Sequence, residues 1–212
     1  MPLVAFDLDG TLVDQTAAAR LWAQEFARVV GLTAEQAAHL AAALVARRPK
    51  GEVFAEVVAA WSLPMSGEEV WAEYRARMPE LVTCSEPDLA ALRGLRQAGW
   101  TLGVVTNGMV DNQEGKIRRT GLTDLVDGWV ISEEIGVRKP DRAIFEALAA
   151  RLGCPLEGWM VGDSLDMDVA GGSAAGLNTV LITSNVPNAS SLIQATMTAP
   201  TVAEAAKAIA AA

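Results

Sequence analysis

The chain has 212 residues, about half of them hydrophobic, and a formal net charge of −9. That length and apolar content suit one large domain, or a core domain with a smaller insert. The acidic balance argues against a general nucleic-acid or anionic-membrane binder, which needs a basic surface, but it leaves room for a phosphate held by a metal and a few cations.

The apolar run Leu3-Val4-Ala5-Phe6 reads as a buried strand that opens into Asp7-Leu8-Asp9-Gly10-Thr11. Residues i and i+2 of an extended segment point the same way, so the strand end presents two carboxylates together. The glycine turn then frees backbone N–H groups beside them. A carboxylate nucleophile, a second carboxylate for proton transfer and exposed amides are what phosphoryl transfer through an aspartyl intermediate requires. An acidic turn after a strand is the plainer alternative, because Asp and Gly favour turns anyway. Met1-Pro2-Leu3-Val4 lacks the basic segment of a signal peptide.

From about Ala17 to Met78 the pattern is helical without a strand. Leu21, Trp22, Phe26 and Val29 make one stripe, and Val53, Phe54, Val57, Val58 and Trp61 another. Thr33 with Gln36, and Ser66 with Glu69, have capping-box spacing. This stretch is expected to be a small helical module inserted after the first strand, with its tryptophans in core packing. Its longest apolar run, around Ala37–Ala46, is too short to span a bilayer and contains His39, the single histidine. Arg47-Arg48-Pro49-Lys50-Gly51 joins two helices and concentrates three cations. They read either as compensation of a helix C-terminus or as a loop contacting an anionic part of a substrate, with Arg47 and Lys50 the candidates. Cys84 and Cys154 are too few and too far apart for a disulfide framework or a zinc site, and are expected to be buried thiols. A soluble cytoplasmic protein is expected.

Beyond the module, short strands alternate with helices. Leu89, Leu92 and Leu95 share a helical face that stops at Gly99. Strand-like runs follow at Thr101–Val105, Trp129–Ile131, Trp159–Val161 and Thr179–Ile182, with a helix on Ile144, Phe145, Leu148 and Leu152 ending at Gly153. Ser184–Ser191 reads as a polar loop; a last strand near Ala195–Thr198 and a helix from Val202 complete the chain. The alternation predicts a doubly wound parallel α/β sheet, Rossmann-like in kind.

In such a sheet ligands bind beyond the carboxyl ends of the strands. Four polar clusters fall there: Asp7 and Asp9; Thr106-Asn107-Gly108; Lys139-Pro140; and Gly162-Asp163-Ser164 with Asp168. Taken singly they read as a turn, a solvated lysine and a helix cap. Their order on successive strand ends points instead to one functional edge.

These stretches resemble the four motifs of the haloacid dehalogenase-like hydrolases: Asp7-Leu8-Asp9-Gly10-Thr11-Leu12-Val13-Asp14, Val105-Thr106-Asn107-Gly108, Gly136-Val137-Arg138-Lys139-Pro140-Asp141 and Gly162-Asp163-Ser164-Leu165-Asp166-Met167-Asp168. The resemblance covers essentially the whole chain. It implies a catalytic core at 1–14 and 82–212 with a helical cap of the C1 type at 15–81. The stretch Gln113 to Leu148, with Lys116-Ile117, Thr120-Gly121-Leu122 and Ser132-Glu133-Glu134, is most similar to the phosphatases of that branch.

The resemblance further implies Asp7 as nucleophile, Asp9 as general acid and then base, and Thr106 and Lys139 as catalytic partners. Leu8, Asn107 and Gly108 would bind the phosphate. Mg²⁺ would be held by Asp7, Asp9 through its carbonyl and Asp163, with Asp168 supporting from behind or holding Lys139. Ser164 is expected to cap the following helix. The implied substrate is a small phosphorylated metabolite, of nucleotide, sugar phosphate or phosphoglycolate type, and the protein a monomer or homodimer. A phosphomutase on the same scaffold and a non-catalytic ligand-binding relative are the alternatives. Carbon–halogen hydrolysis is disfavoured, because that branch lacks the second aspartate of the first motif.

Overall fold

The structure is a computed structural model that describes residues 1–46, 48–184 and 193–212. Arg47 and all but the first residue of the Ser184–Ser191 stretch lie outside the described residues. The chain divides into two compact units, Met1–Val13 with Cys84–Ala212, and Asp14–Thr83.

Among the described residues the first unit is built on six parallel strands: β1 (Leu3–Phe6), β2 (Thr101–Thr106), β3 (Gly128–Ile131), β4 (Gly158–Gly162), β5 (Asn178–Ile182) and β6 (Met197–Ala199). Their order across the sheet is β3-β2-β1-β4-β5-β6. Phe6 lies opposite Val104 on one side and Val161 on the other, so the residues after β1 and β4 emerge side by side. That neighbouring pair is where the winding reverses direction, the place at which an open α/β sheet leaves a crevice. β1 and β2 are buried at every residue, as parallel strands covered on both faces must be.

Among the described residues the α-helices of this unit are α5 (Glu86–Gln97), α6 (Val110–Arg119), α7 (Ser132–Ile135), α8 (Arg142–Leu152), α9 (Ala170–Ala174) and α10 (Val202–Ala210). Ile144, Phe145 and Leu148 of α8 form one core with Leu3, Ala5, Val105, Val130 and Met160. Gly103 makes that approach possible, since a Cβ there would stand 2.8 Å from Leu152 and 3.0 Å from Leu148. α5 packs on α10, and the Asp88 carboxylate accepts the Ala203 N–H at 2.8 Å.

The second unit holds α1 (Gln15–Val30), α2 (Ala34–Val45), α3 (Lys50–Trp61) and α4 (Gly67–Leu81). Thr33 and Ser66 close complete capping boxes with Gln36 and Glu69. Trp22, Phe26, Phe54 and Tyr74 form its aromatic centre: Trp22 stacks on Phe26 at 4.8 Å and meets Tyr74 edge-on at 5.0 Å. The Trp22 indole N–H donates to Glu73 at 2.7 Å. The first helical stripe is narrower than its spacing suggested. Trp22 and Phe26 are buried, whereas Leu21, about 100° further round the helix, is half-exposed and Val29 in the last turn is 83% exposed.

Cys84 and Cys154 are free and only half-buried; burial, aided by Asp88 and Glu86, pushes the Cys84 thiol up to about 12. No helix among the described residues is long and apolar enough to cross a membrane.

Leu148→Ala empties space at the centre of the sheet's core and is expected to cost about 2–5 kcal/mol. Val29→Ser on the exposed end of α1 is expected to stay within about 0.5 kcal/mol. Urea denaturation of the two variants beside the parent measures both.

Candidate active site

At the carboxyl edge of the sheet, Asp7 continues β1 and donates its backbone N–H to Val161 of β4 at 2.9 Å. Its carboxylate is almost wholly buried. Lys139 reaches in from the loop before α8, donating from Nζ to Asp7 Oδ1 at 2.5 Å and to Asp168 Oδ1 at 2.7 Å. Thr11 Oγ1 donates to the other Asp7 oxygen at 3.3 Å. Asp168 sits in the turn after β4, and its second oxygen accepts the Ser164 N–H at 3.0 Å. The ammonium is therefore shared by two carboxylates, and all three side chains are buried.

Burial raises the Asp7 carboxyl most; Lys139 opposes, and Asp168 and Asp9 add repulsion, so that it is pushed up to about 6. For Lys139 burial works against the charge, but the adjoining carboxylates of Asp7 and Asp168 outweigh it and raise the group above its ordinary range. A buried ammonium between two carboxylates keeps its proton, and it holds both of its partners in place.

Asp7, Asp163 and Asp168 each bring a carboxylate oxygen within 4.8 Å of the others, and they are an acidic triad suited to a cation. Two glycines make the approach possible. A Cβ on Gly10, whose φ of +86° already favours glycine, would stand 2.6 Å from Asp163 Oδ2, and one on Gly162 would stand 2.3 Å from the Asp168 carboxylate. All-oxygen donors with several anionic groups and one ammonium match a hard divalent ion such as Mg²⁺. Asp168 is thus both within the triad and a direct partner of Lys139. Ser164 caps the turn that follows it, its Oγ accepting the Met167 N–H at 3.3 Å.

The loop after β2 is tied to the Lys139 loop by one side chain. Asn107 accepts the Lys139 N–H at 2.9 Å and donates back to its carbonyl at 3.1 Å. Asn107 thus holds the loop that carries the lysine. The Gly108 N–H donates to Ser132 Oγ at 3.0 Å, and the Leu8 carbonyl accepts from Thr11, Leu12 and Val13 to close the loop that carries Asp9. Thr106, at the end of β2, is buried.

Asp9 has two partners to which the motif spacing assigned no task. Lys116 Nζ donates to Asp9 Oδ1 at 2.8 Å and to Oδ2 at 2.9 Å. Gln113 Nε2 donates to Asp9 Oδ2 at 3.1 Å and to Thr106 Oγ1 at 2.6 Å. The structure shows that α6 buries Asn112, Gln113, Lys116 and Ile117. A helix with so few apolar residues directly after a strand-end motif buries a polar stripe only if that stripe has polar partners.

Lys50 lies in the other unit, where its ammonium donates to the Leu44 and Ala46 carbonyls at 2.6 and 2.9 Å, as a lysine closing the end of a helix does. Arg48 pairs with Glu56 on the surface of that unit.

The model of the haloacid dehalogenase-like hydrolases matches residues 1–176. The chain is 46% identical over 98 residues to a glyceraldehyde 3-phosphate phosphatase of Methanopyrus kandleri, a match covering 45% of this chain and 42% of that protein. Matches to several such curated relatives span less than half of the relatives' own length. A phosphoglycolate phosphatase of Cereibacter sphaeroides is 32% identical over 197 residues, covering 86% of this chain and 85% of that one. Among solved structures, a phosphatase from Thermococcus onnurineus aligns over 99% of this chain and 98% of that chain with a TM-score of 0.69 and 28% identity.

The raised Asp7 carboxyl binds its proton more tightly in the folded state than its ordinary value of 3.8 allows in the unfolded one. Folding stability therefore falls as pH rises from about 4 to about 6, and the cost of the buried charge is complete above that. In metal-free protein Asp7→Asn is expected to raise stability at pH 8 by on the order of 1 kcal/mol or more, a gain that disappears by pH 4. Thermal unfolding across pH in the presence of a chelator reads it.

Proposed function

The chain belongs to the haloacid dehalogenase-like hydrolase family, and on that premise we propose that it is a phosphatase of small-metabolite phosphomonoesters, working through Asp7. The observation that carries this reading is the buried Asp7 carboxylate, held by Lys139 at an edge where three aspartates converge. Curated relatives named as phosphatases of glyceraldehyde 3-phosphate and phosphoglycolate support the substrate class.

In the first step an Asp7 oxygen attacks phosphorus in line, the bond from phosphorus to the leaving oxygen breaks, and Asp9 gives that oxygen a proton. In the second step Asp9 takes a proton from water as the water oxygen attacks phosphorus, and the bond to Asp7 breaks to release phosphate. Two anions must meet in the first step, so positive charge has to stand beside them. Lys139 supplies one such charge directly against Asp7. Thr106 donates its hydroxyl to a phosphoryl oxygen and the Leu8 amide would donate beside it, the Gly108 N–H being already given to Ser132.

Asp7, Asp163 and the Asp9 carbonyl would hold Mg²⁺, with Asp168 behind them, and the ion when bound supplies the remaining charge cancellation between nucleophile and phosphoryl oxygens. The helical unit 14–83, inserted into the chain directly after the Asp7 loop, is in this reading a cap of the C1 type that excludes water and reads the leaving group.

Phosphate release is expected from a panel of nucleoside monophosphates, sugar phosphates, phosphoglycolate and an aryl phosphate, to stop with chelator, and to return with Mg²⁺. Asp7→Asn is expected to abolish it, and Lys139→Met to lower kcat by about 10²–10³-fold or more. Release that persists undiminished in Asp7→Asn would refute the assignment.

A further inference from the structure

Lys116 is a nearly fully buried lysine on the buried polar face of α6, and the attack on phosphorus does not use it. Its three hydrogens have three receivers: Asp9 Oδ1 at 2.8 Å, Asp9 Oδ2 at 2.9 Å and Gln113 Oε1 at 2.9 Å. The last contact fixes which way the Gln113 amide faces. Turned over, its oxygen would confront the Asp9 carboxylate and its NH₂ would confront the ammonium. In the orientation present, the two Nε2 hydrogens go to Asp9 Oδ2 at 3.1 Å and to Thr106 Oγ1 at 2.6 Å.

Two consequences follow for the reacting groups. Thr106 Oγ1 accepts from Gln113, so its own hydroxyl proton is directed elsewhere, available to a phosphoryl oxygen. Asp9 Oδ2 accepts two hydrogen bonds and Oδ1 one, so Oδ1 keeps the lone pair that carries the travelling proton. Gly108 completes the arrangement, because a Cβ there would stand 2.9 Å from Gln113 Cγ and displace the amide.

We infer that Lys116 and Gln113 are positioning residues, which aim the Asp9 carboxylate at the leaving oxygen and the Thr106 hydroxyl at the phosphoryl group through one hydrogen-bonded chain. This rests on the phosphatase reading above, and it adds a residue pair to which the four motifs give no part.

A proton donor matters in proportion to how badly the leaving group needs a proton. An alkoxide needs one; 2,4-dinitrophenolate leaves without it. Lys116→Met is therefore expected to lower kcat/KM for an alkyl phosphomonoester by about 10²-fold, in the range of a general-acid contribution. The loss for 2,4-dinitrophenyl phosphate is expected to be at least about tenfold smaller. Lys116→Gln, which keeps the length and one donor and is the gentler change to the fold, is expected to show the same selectivity with a smaller loss. Loss of an ordinary structural lysine lowers both substrates together.

Equal losses on the two substrates, or no loss on either, in whichever variant folds with a native unfolding transition, would overturn the positioning role while leaving the phosphatase reading intact. Parent protein that releases phosphate from neither substrate, or Asp7→Asn that still turns over, would overturn both.

Discussion

The site depends on one buried ammonium between two buried carboxylates. Lys139 lies 2.5 Å from Asp7 and 2.7 Å from Asp168, with scarcely any solvent at any of the three. Removing such charges from water is costly, and the pairing offsets that cost only in part, as the raised Asp7 carboxyl shows. The arrangement is therefore kept for its chemistry more than for stability. In the proposed mechanism it keeps a carboxylate that burial alone would neutralise close to the charge that attack needs.

Strand order makes that placement possible. Lys139 and Asp168 are 29 residues apart and Asp7 lies 132 residues before Lys139, yet β1 and β4 are neighbours and β2 flanks β1 on the other side. Each of these strands ends with a short polar loop. Gly10 and Gly162 then allow carboxylates within a distance that any side chain would close off. The loops themselves are fastened to one another, most directly by the Asn107 side chain, which pairs with both the N–H and the carbonyl of Lys139. The convergence of these groups rests on the ends of sheet strands and the short loops between them.

Much of this was legible in the amino acids, for physical reasons. Parallel strands covered on both faces appear as short unbroken apolar runs, and a polar residue immediately after such a run must stand at a strand end. Asp7, Thr106 and Asp163 were visible in that way, and Lys139 by its place after the third strand and just before a helix. Contacts made by long side chains across elements were less so. Lys116 and Gln113 stand in a helix whose polar face looks solvated until the partner carboxylate across the gap is known. In the helical unit, Val29 is in phase with Trp22 but lies in the last turn of α1, where the helix leaves its neighbours. Lys50 could be read as a substrate contact or as a helix closure, and its bonds to two carbonyls are of the second kind. Periodicity reports which face is apolar; it does not report where a helix outruns its partners.

The central claim is that Asp7, and no other carboxylate of the cluster, takes the phosphoryl group. It is tested most directly by mixing an Asp9→Asn variant with ³²P-labelled 2,4-dinitrophenyl phosphate, whose leaving group needs no proton, quenching in acid within the first turnover, reducing the acyl phosphate with borohydride and locating the product by peptide mass. The account predicts homoserine at position 7 together with acid-stable, protein-bound label before reduction. Label on Asp163, on Asp168 or on no residue at all would contradict it.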